Sequence, residues 1–437
     1  MNPTAQITVF NERELQRQSI VRLIFLLFLL LIFEGALRKW VLPGLSNPLL
    51  FIRDPFLLAI YIKALQQRRI ATNSLLQFGL LISICLTALA LLQVALGDIS
   101  IEIAGYGLRN YCLYLPLPFV MYASMTHADT TALIRLLLTI SIPIGALGVV
   151  QSYLPSDHFL NKGVGDGDVF TAANQVRTYG TFSFTAGYGN YLNTMVPIAV
   201  GSLLLFPADS RERRIATISA FSLACAALTS GSRGVIVGVA ITAAMFILVS
   251  GLTGSGRNTA RAATTAALIA VLTSAGYFIF SDRFENIVSR FQEGESSEGS
   301  IIDRGLSPLI KLTDAIADGS VLGVGIGKGT GGGSYLSTGT QELILSEEET
   351  LRIIQECGAI LGIGYIIFRF LLLVLTIRMS LTSLKHNENP LPLFLLSYLT
   401  PSLLIGQITL NNTSNGFNWL GVGLLFCATQ LQARPVR

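Results

Sequence analysis

Apolar runs of about 18 or more residues recur along the chain, and each is long enough to cross a hydrocarbon layer of roughly 30 Å. Twelve such runs lie near 19–36, 48–65, 75–96, 107–125, 131–151, 187–206, 214–230, 233–252, 262–280, 351–376, 390–409 and 417–431. Only 13% of the 437 residues are charged and 51% are hydrophobic. A soluble domain carries about 25% charged residues. The remaining charge is too sparse to coat a water-facing surface of this size. A soluble enzyme, a disordered chain, a secreted disulfide scaffold and a nucleic-acid binder are all excluded. The five cysteines fall inside apolar runs and the three histidines are scattered, so no zinc site is expected.

Charge sorts by side. With the N-terminus placed inside, the inside segments hold Arg13, Arg17, Arg22, Lys63, Arg68, Arg69, Arg135, Arg211, Arg213, Arg214, Arg257, Arg261, Arg369, Arg378, Lys385, Arg434 and Arg437. That is 17 of 30 basic residues against 6 of 26 acids, leaving 13 basic and 20 acidic residues outside. The net charge is about +11 inside and −7 outside, which sums to the overall +4. Basic inside loops are the orientation signal of membrane proteins. Both ends of the chain are therefore predicted on the inside. The first run has a basic lead-in, but Glu34-Gly35-Ala36-Leu37-Arg38-Lys39-Trp40 follows it in place of a small-residue cleavage site, so it reads as an uncleaved signal anchor.

The predicted fold is an all-α polytopic transmembrane bundle. Residues 1–280 form spans one to nine, with an outside loop at 152–186. Residues 281–350 form a large outside loop, and 351–437 form spans ten to twelve. In the large loop, Phe284, Ile287, Val288 and Phe291, and then Leu306, Leu309, Ile310, Leu312 and Ile316, recur at helical spacing, which predicts short amphipathic helices. Residues 293–300 read as a linker. No internal repeat is evident.

The informative charges are the basic residues outside, because a charge buried near a span is costly. Glu34, Arg38, Lys39, Arg53 and Asp54 flank the first outside turn and read either as internal ion pairs or as part of an anion site. Arg177 heads Arg177-Thr178-Tyr179-Gly180-Thr181-Phe182, before span six. Ser230-Gly231-Ser232-Arg233-Gly234 makes the tight turn between spans seven and eight, where turn amides and Arg233 are placed to hold an anion. Arg290 and Arg304 lie in the large loop. The planar guanidinium fork suits phosphate oxygens. Gly323-Val324-Gly325-Ile326-Gly327-Lys328-Gly329-Thr330 fails phosphate-loop spacing and reads as a hinge or tight loop. Glu347-Glu348-Glu349 enters span ten. Acids there suit the first turn of a helix, or one of them serves as a general base at the membrane surface.

Taken in order, these elements resemble the O-antigen ligase and polymerase superfamily of bacterial envelope glycosyltransferases. Arg177-x-x-Gly180-Thr181-Phe182 is similar to that family's arginine, glycine-threonine-phenylalanine run. Ser230-Gly231-Ser232-Arg233-Gly234 is similar to its serine-arginine-glycine hairpin. Arg304, the stretch 309–316 and Gly323-Val324-Gly325 resemble its long-loop series. Leu351, Glu356 and Gly358 fit the family's entry to span ten, while Glu347 and Glu348 stand where the ligases carry His-Asn. That departure favours a polymerase branch.

The resemblance implies a metal-independent, inverting glycosyltransferase in the bacterial inner membrane, with both termini cytoplasmic, the site facing the periplasm and no cofactor. The donor would be a glycan on undecaprenyl pyrophosphate and the acceptor a sugar hydroxyl of another lipid-linked glycan. Arg177 and Arg233 would bind pyrophosphate, with Arg290 or Arg304 assisting and Arg38, Arg53 and Ser232 supporting. Glu347, or else Glu348, would be the base. Partners would be membrane lipid and a chain-length regulator or flippase, with no nucleic acid. A ligase with another acceptor, a small-molecule or ion transporter and a structural membrane scaffold are the competing readings.

Overall fold

The computed structural model describes residues 3–164, 171–172, 175–252, 320–339 and 344–432. The ninth predicted span, most of the large outside loop with its two amphipathic stretches, Arg290 and Arg304 lie outside the described residues.

The described residues are helical apart from one short antiparallel strand pair, Thr171–Ala172 with Gln175–Val176. The helices are α1 Pro3–Ala36, α2 Asp54–Gln66, α3 Ser74–Leu96, α4 Ile101–Leu108, α5 Leu117–Ser124, α6 His127–Tyr153, α7 Thr185–Leu205, α8 Arg211–Thr229, α9 Arg233–Leu252, α10 Gly331–Thr338, α11 Glu349–Asn387, α12 Leu391–Ile405 and α13 Asn412–Ala428. By length and composition, five segments can cross a membrane: Glu12–Val41, Ser74–Leu96, His127–Tyr153, Arg233–Leu252 and Glu349–Asn387. The chain is thus a helical membrane protein in outline.

Local chemistry sets the helix ends. Asn73 caps α3 by accepting the Leu76 N–H at 2.8 Å, and Gly97 ends it at φ +83. Thr126 and Asp129 form a reciprocal capping box on α6. Asn411 caps α13 through the Ser414 N–H at 2.8 Å.

Two predicted spans are not continuous. The run at 48–65 becomes the 13-residue α2, preceded by short 3-10 turns at Pro43–Leu45 and Pro48–Phe51, because the prolines there have no N–H to extend a helix. The run at 107–125 becomes α4, a π turn at Arg109–Leu113 that buries Arg109, Asn110 and Tyr111, and then α5.

Span ten departs furthest from expectation. Gly358, at φ 74 and ψ 166, breaks α11 into two pieces. In a straight helix Glu349 and Arg369 would stand about 30 Å apart. Instead Arg369 Nη1 lies 3.3 Å from Glu349 Oε1. A Cβ placed on Gly362 would sit 3.0 Å from the Ile354 Cα. Residues 349–357 therefore fold back along the start of 359–387. Arg369, counted above among the inside charges, reaches Glu349 and the carbonyls of Ser402 (2.9 Å), Leu403 and Gly406 (both 3.1 Å), all at the opposite end of α12 from its start. That part of the charge tally is corrected: Arg369 is a buried bundle residue.

Contacts sort the connections into two ends. At one, here the upper end, Arg38 Nη1 donates to Ser183 Oγ (3.0 Å), Trp40 Nε1 to the Phe159 carbonyl (3.2 Å), the Gly331 N–H to the Leu410 carbonyl (3.2 Å) and Gln407 Nε2 to the Glu347 carbonyl (2.9 Å). At the lower end Arg17 Nη1 donates to the Ser124 carbonyl (2.9 Å), Gln67 Nε2 to Gln16 (3.2 Å), Asn387 Nδ2 to Thr429 (2.9 Å) and Asn389 Nδ2 to Ala428 (2.7 Å). Arg135 pairs with Glu212 there.

The core centres on α13, buried along nearly its whole length, with α5, α7 and α12 packed on it. With 15 and 17 residues, α12 and α13 span only about 23 and 26 Å. The turn at 406–411 joins them at the upper end.

Candidate functional site

Two motifs from separate parts of the chain meet at the upper end. Arg177 precedes a turn in which Gly180 takes φ +54, a conformation that suits glycine, and a Cβ there would press the Tyr188 ring at 2.6 Å. Thr181 Oγ1 donates to the Ile32 carbonyl at 2.6 Å, and Lys39 Nζ donates to the Gly180 carbonyl at 3.2 Å. Arg233 opens α9 after the left-handed Gly231, at φ +64. Ser232 donates its N–H to Ser230 Oγ at 3.2 Å, and its own hydroxyl faces Gly189 of α7. Burial and then the like charge of Arg233 pull the Arg177 guanidinium below the usual arginine value. The two cations therefore feel each other's field. Arg177 Nε is shielded from solvent and has no hydrogen-bond partner among the described residues. Two arginines in each other's field, one with a buried donor that no described residue takes up, are suited to an anion.

The sequence cluster around the first turn is drawn inward. Arg53 is fully buried, its Nε 2.9 Å from Glu34 and its Nη2 donating to the Asn412 carbonyl at 3.0 Å. Arg38 stands 3.7 Å from Glu34 and donates its Nε to the Ser46 carbonyl at 2.8 Å. These side chains pin α1 to α2 and α13, which is the ion-pair reading. Sequence reasoning missed Arg109, whose guanidinium grips Asp54 at 2.5 and 2.8 Å and also donates to Asn412. An arginine inside an apolar run was the available signal.

The glutamates at span ten separate into three environments. Glu347 is exposed, and its carbonyl accepts from Gln407 Nε2. Glu348 is half-buried at the N-cap of α11, with its N–H on Ser346 Oγ at 3.1 Å. Glu349 is buried and pairs with Arg352 and Arg369, and it accepts the Thr409 N–H at 2.8 Å. Glu349 is the first-turn acid the sequence suggests, and it is also the hub of a buried network with Arg352 and Arg369. Ser414, at the start of α13, accepts from Asn190 Nδ2 of α7 at 2.7 Å, and Gln407, in the turn before α13, holds the Glu347 carbonyl.

Of the two readings of the glycine run at 323–330, hinge or tight loop, the structure shows the tight loop, folded in place. The Gly327 and Gly329 amides donate to Glu356 at 3.2 and 2.7 Å, and Tyr111 Oη donates to the same carboxylate at 2.7 Å. Gln93 accepts the Ile326 N–H at 2.8 Å and donates to the Leu322 carbonyl at 2.6 Å and the Glu356 carbonyl at 3.0 Å. The amides a phosphate loop would aim at phosphate are thus occupied by the protein's own acid. Leu351 apart, the span-ten pattern acquires a structural meaning: Glu356 anchors the glycine run, and Gly358 makes the bend.

Asp166-Gly167-Asp168, in the loop predicted at 152–186, has the Asp-x-Asp form of many metal-dependent glycosyl transfer sites. It lies outside the described residues, so the metal-independent expectation rests on the resemblance alone. Compared with known proteins, the chain matches no family model and no curated protein.

Proposed function

We propose that the chain is a polysaccharide repeat-unit polymerase of the bacterial inner membrane, with twelve spans, the lower end cytoplasmic and the upper end periplasmic. It moves a glycan from undecaprenyl pyrophosphate to the terminal sugar hydroxyl of another lipid-linked glycan. The observation that carries this reading is that Arg177 and Arg233, from motifs 56 residues apart in sequence, lie within each other's field at the upper end.

The chemistry follows from that geometry. When the anomeric carbon–oxygen bond breaks, negative charge grows on the leaving pyrophosphate. Two arginines in a partly dehydrated setting stabilise that charge more than the ground state, and such preorganised donors are worth about 10²–10³-fold each. The isoprenyl tail lies along the bundle in the bilayer while the sugar faces the upper end. Glu347, exposed ahead of α11, accepts the acceptor hydroxyl's proton as the oxygen attacks in line, giving inversion. Glu348, one residue nearer α11, is the second candidate. Arg290 and Arg304 assist from the large loop, and Arg38, Arg53 and Ser232 hold the frame. A chain-length regulator or flippase is the protein partner.

The ligase reading is favoured by the Leu351, Glu356 and Gly358 pattern. Transport is favoured by the breaks in α11 and at Arg109–Leu113, although Glu349, Arg352, Arg369, Asp54 and Arg109 are paired with one another. One experiment separates the polymerase from the ligase. In a deletion strain, surface polysaccharide is analysed on gels after complementation with wild type or Arg233→Ala. A polymerase leaves single-unit chains without wild type, and Arg233→Ala stays in the membrane yet fails to restore polymer. Long chains held on the lipid carrier assign a ligase. Normal polymer with Arg233→Ala removes the central claim.

A further inference from the structure

Arg177 stands ahead of an irregular turn and Arg233 opens α9, so something must fix the distance between them. The Arg177 turn has no regular structure of its own, but one side chain takes up its backbone. Gln151, in the last turn of α6, is fully buried. Its Oε1 accepts the Tyr179 N–H at 3.2 Å and the Gly180 N–H at 2.7 Å. Its Nε2 donates to the Leu160 carbonyl at 2.7 Å and the Gly180 carbonyl at 3.1 Å. Two donors and two acceptors are matched by one carboxamide, which uses all the hydrogens that group has.

Beyond Gln151, α6 is locked to α8. Ser141 Oγ lies 2.5 Å from Ser219 Oγ, and Ser222 Oγ donates to the Ile142 carbonyl at 2.8 Å. A Cβ on Gly145 would press the Ser222 backbone at 2.9 Å, so the two helices touch closely. The next residues after α8 are Ser230 to Ser232, followed by Arg233. A continuous path therefore runs from the Arg177 turn through Gln151, α6 and α8 to Arg233.

We infer that Gln151 is a positioning residue that sets the bite of the arginine pair and so tunes it to a two-phosphate group. This rests on the proposed pyrophosphate reading. Gln151 touches no substrate. Its removal would leave the amides of residues 179 and 180 free to turn, and Arg177 would lose its bearing relative to Arg233.

The test is binding of farnesyl pyrophosphate and farnesyl monophosphate to the full chain purified in detergent. Wild type is expected to prefer the pyrophosphate. Gln151→Met, similar in size but without the carboxamide, should weaken pyrophosphate binding by about tenfold or more, the range for a lost charge-assisted contact, and monophosphate binding by under about threefold. In an Arg177→Ala background the same change should add nothing, because it acts through Arg177. A merely structural loss would lower both ligands alike and add to Arg177→Ala, and that result overturns the inference. If Gln151→Met does not fold, Gln151→Asn, one methylene short, takes its place in the same cycle. If wild type binds neither ligand, the proposed function falls and this inference with it. If wild type binds pyrophosphate and the Gln151 variants bind equally well, only this inference falls.

Discussion

Glu347, Glu348 and Glu349 are adjacent in sequence, yet one is exposed, one half-buried and one fully enclosed. A general base must reach a proton on a mobile acceptor, so the exposed member is the better placed. Glu347→Gln is expected to lower polymer synthesis by roughly 10²–10⁴-fold, the usual worth of a general base, while membrane levels stay unchanged. A loss confined to Glu348→Gln, measured in the same membrane assay, moves the role by one residue. Glu349→Gln should act differently, through abundance, because it leaves Arg352 and Arg369 buried without their acid, a change that costs about 3–5 kcal/mol. Arg177 and Arg233 were legible in the sequence as motif residues. Glu349 was not, since its partner Arg369 lies 20 residues on and meets it only because the helix turns back.

At the scale of elements, most of the helices could be read from apolar length and from caps such as Asn73 and Thr126. The breaks could not. Gly358 is one of 41 glycines and sits in a run that looks like a single long span. Its left-handed backbone and the return of 349–357 depend on the glycine run at 323–330, which supplies hydrogen bonds where the α11 ladder stops: the Val324 N–H donates to the Gln355 carbonyl at 2.8 Å, and the Ala359 N–H to the Ser320 carbonyl at 3.3 Å. Sequence spacing alone does not reveal that pairing. A Cβ at Gly358 would collide with the Val321 carbonyl as well as strain φ. Gly358→Ala is therefore expected to destabilise the protein by about 1–3 kcal/mol or more, seen as a lower melting temperature in detergent. Gly364→Ala, where a Cβ meets open space, is expected to be neutral or stabilising by about 0.5–1 kcal/mol.

For the whole molecule, among the described residues Arg17, Arg69 and Arg135, predicted inside, lie at the lower end and Arg38, Arg177 and Arg233, predicted outside, lie at the upper end, with Arg369 the exception. Asp157 and Asp209 are exposed on opposite ends. In a variant without the five native cysteines, Asp157→Cys should react with a membrane-impermeant maleimide on intact spheroplasts, and Asp209→Cys should react only after lysis. The reverse pattern would invert the orientation.

The folded-back start of α11 also has a consequence in time. A ribosome makes Glu349 first, Arg369 20 residues later and the Thr409 amide 60 residues later. The acid thus waits through the rest of α11 and the whole of α12 for its full set of partners. Arg177, Arg233 and the helices α6 and α8 are made before Glu349 is added. A nascent chain stopped ahead of α12 would carry both arginines without the turn that supplies the Thr409 amide to Glu349.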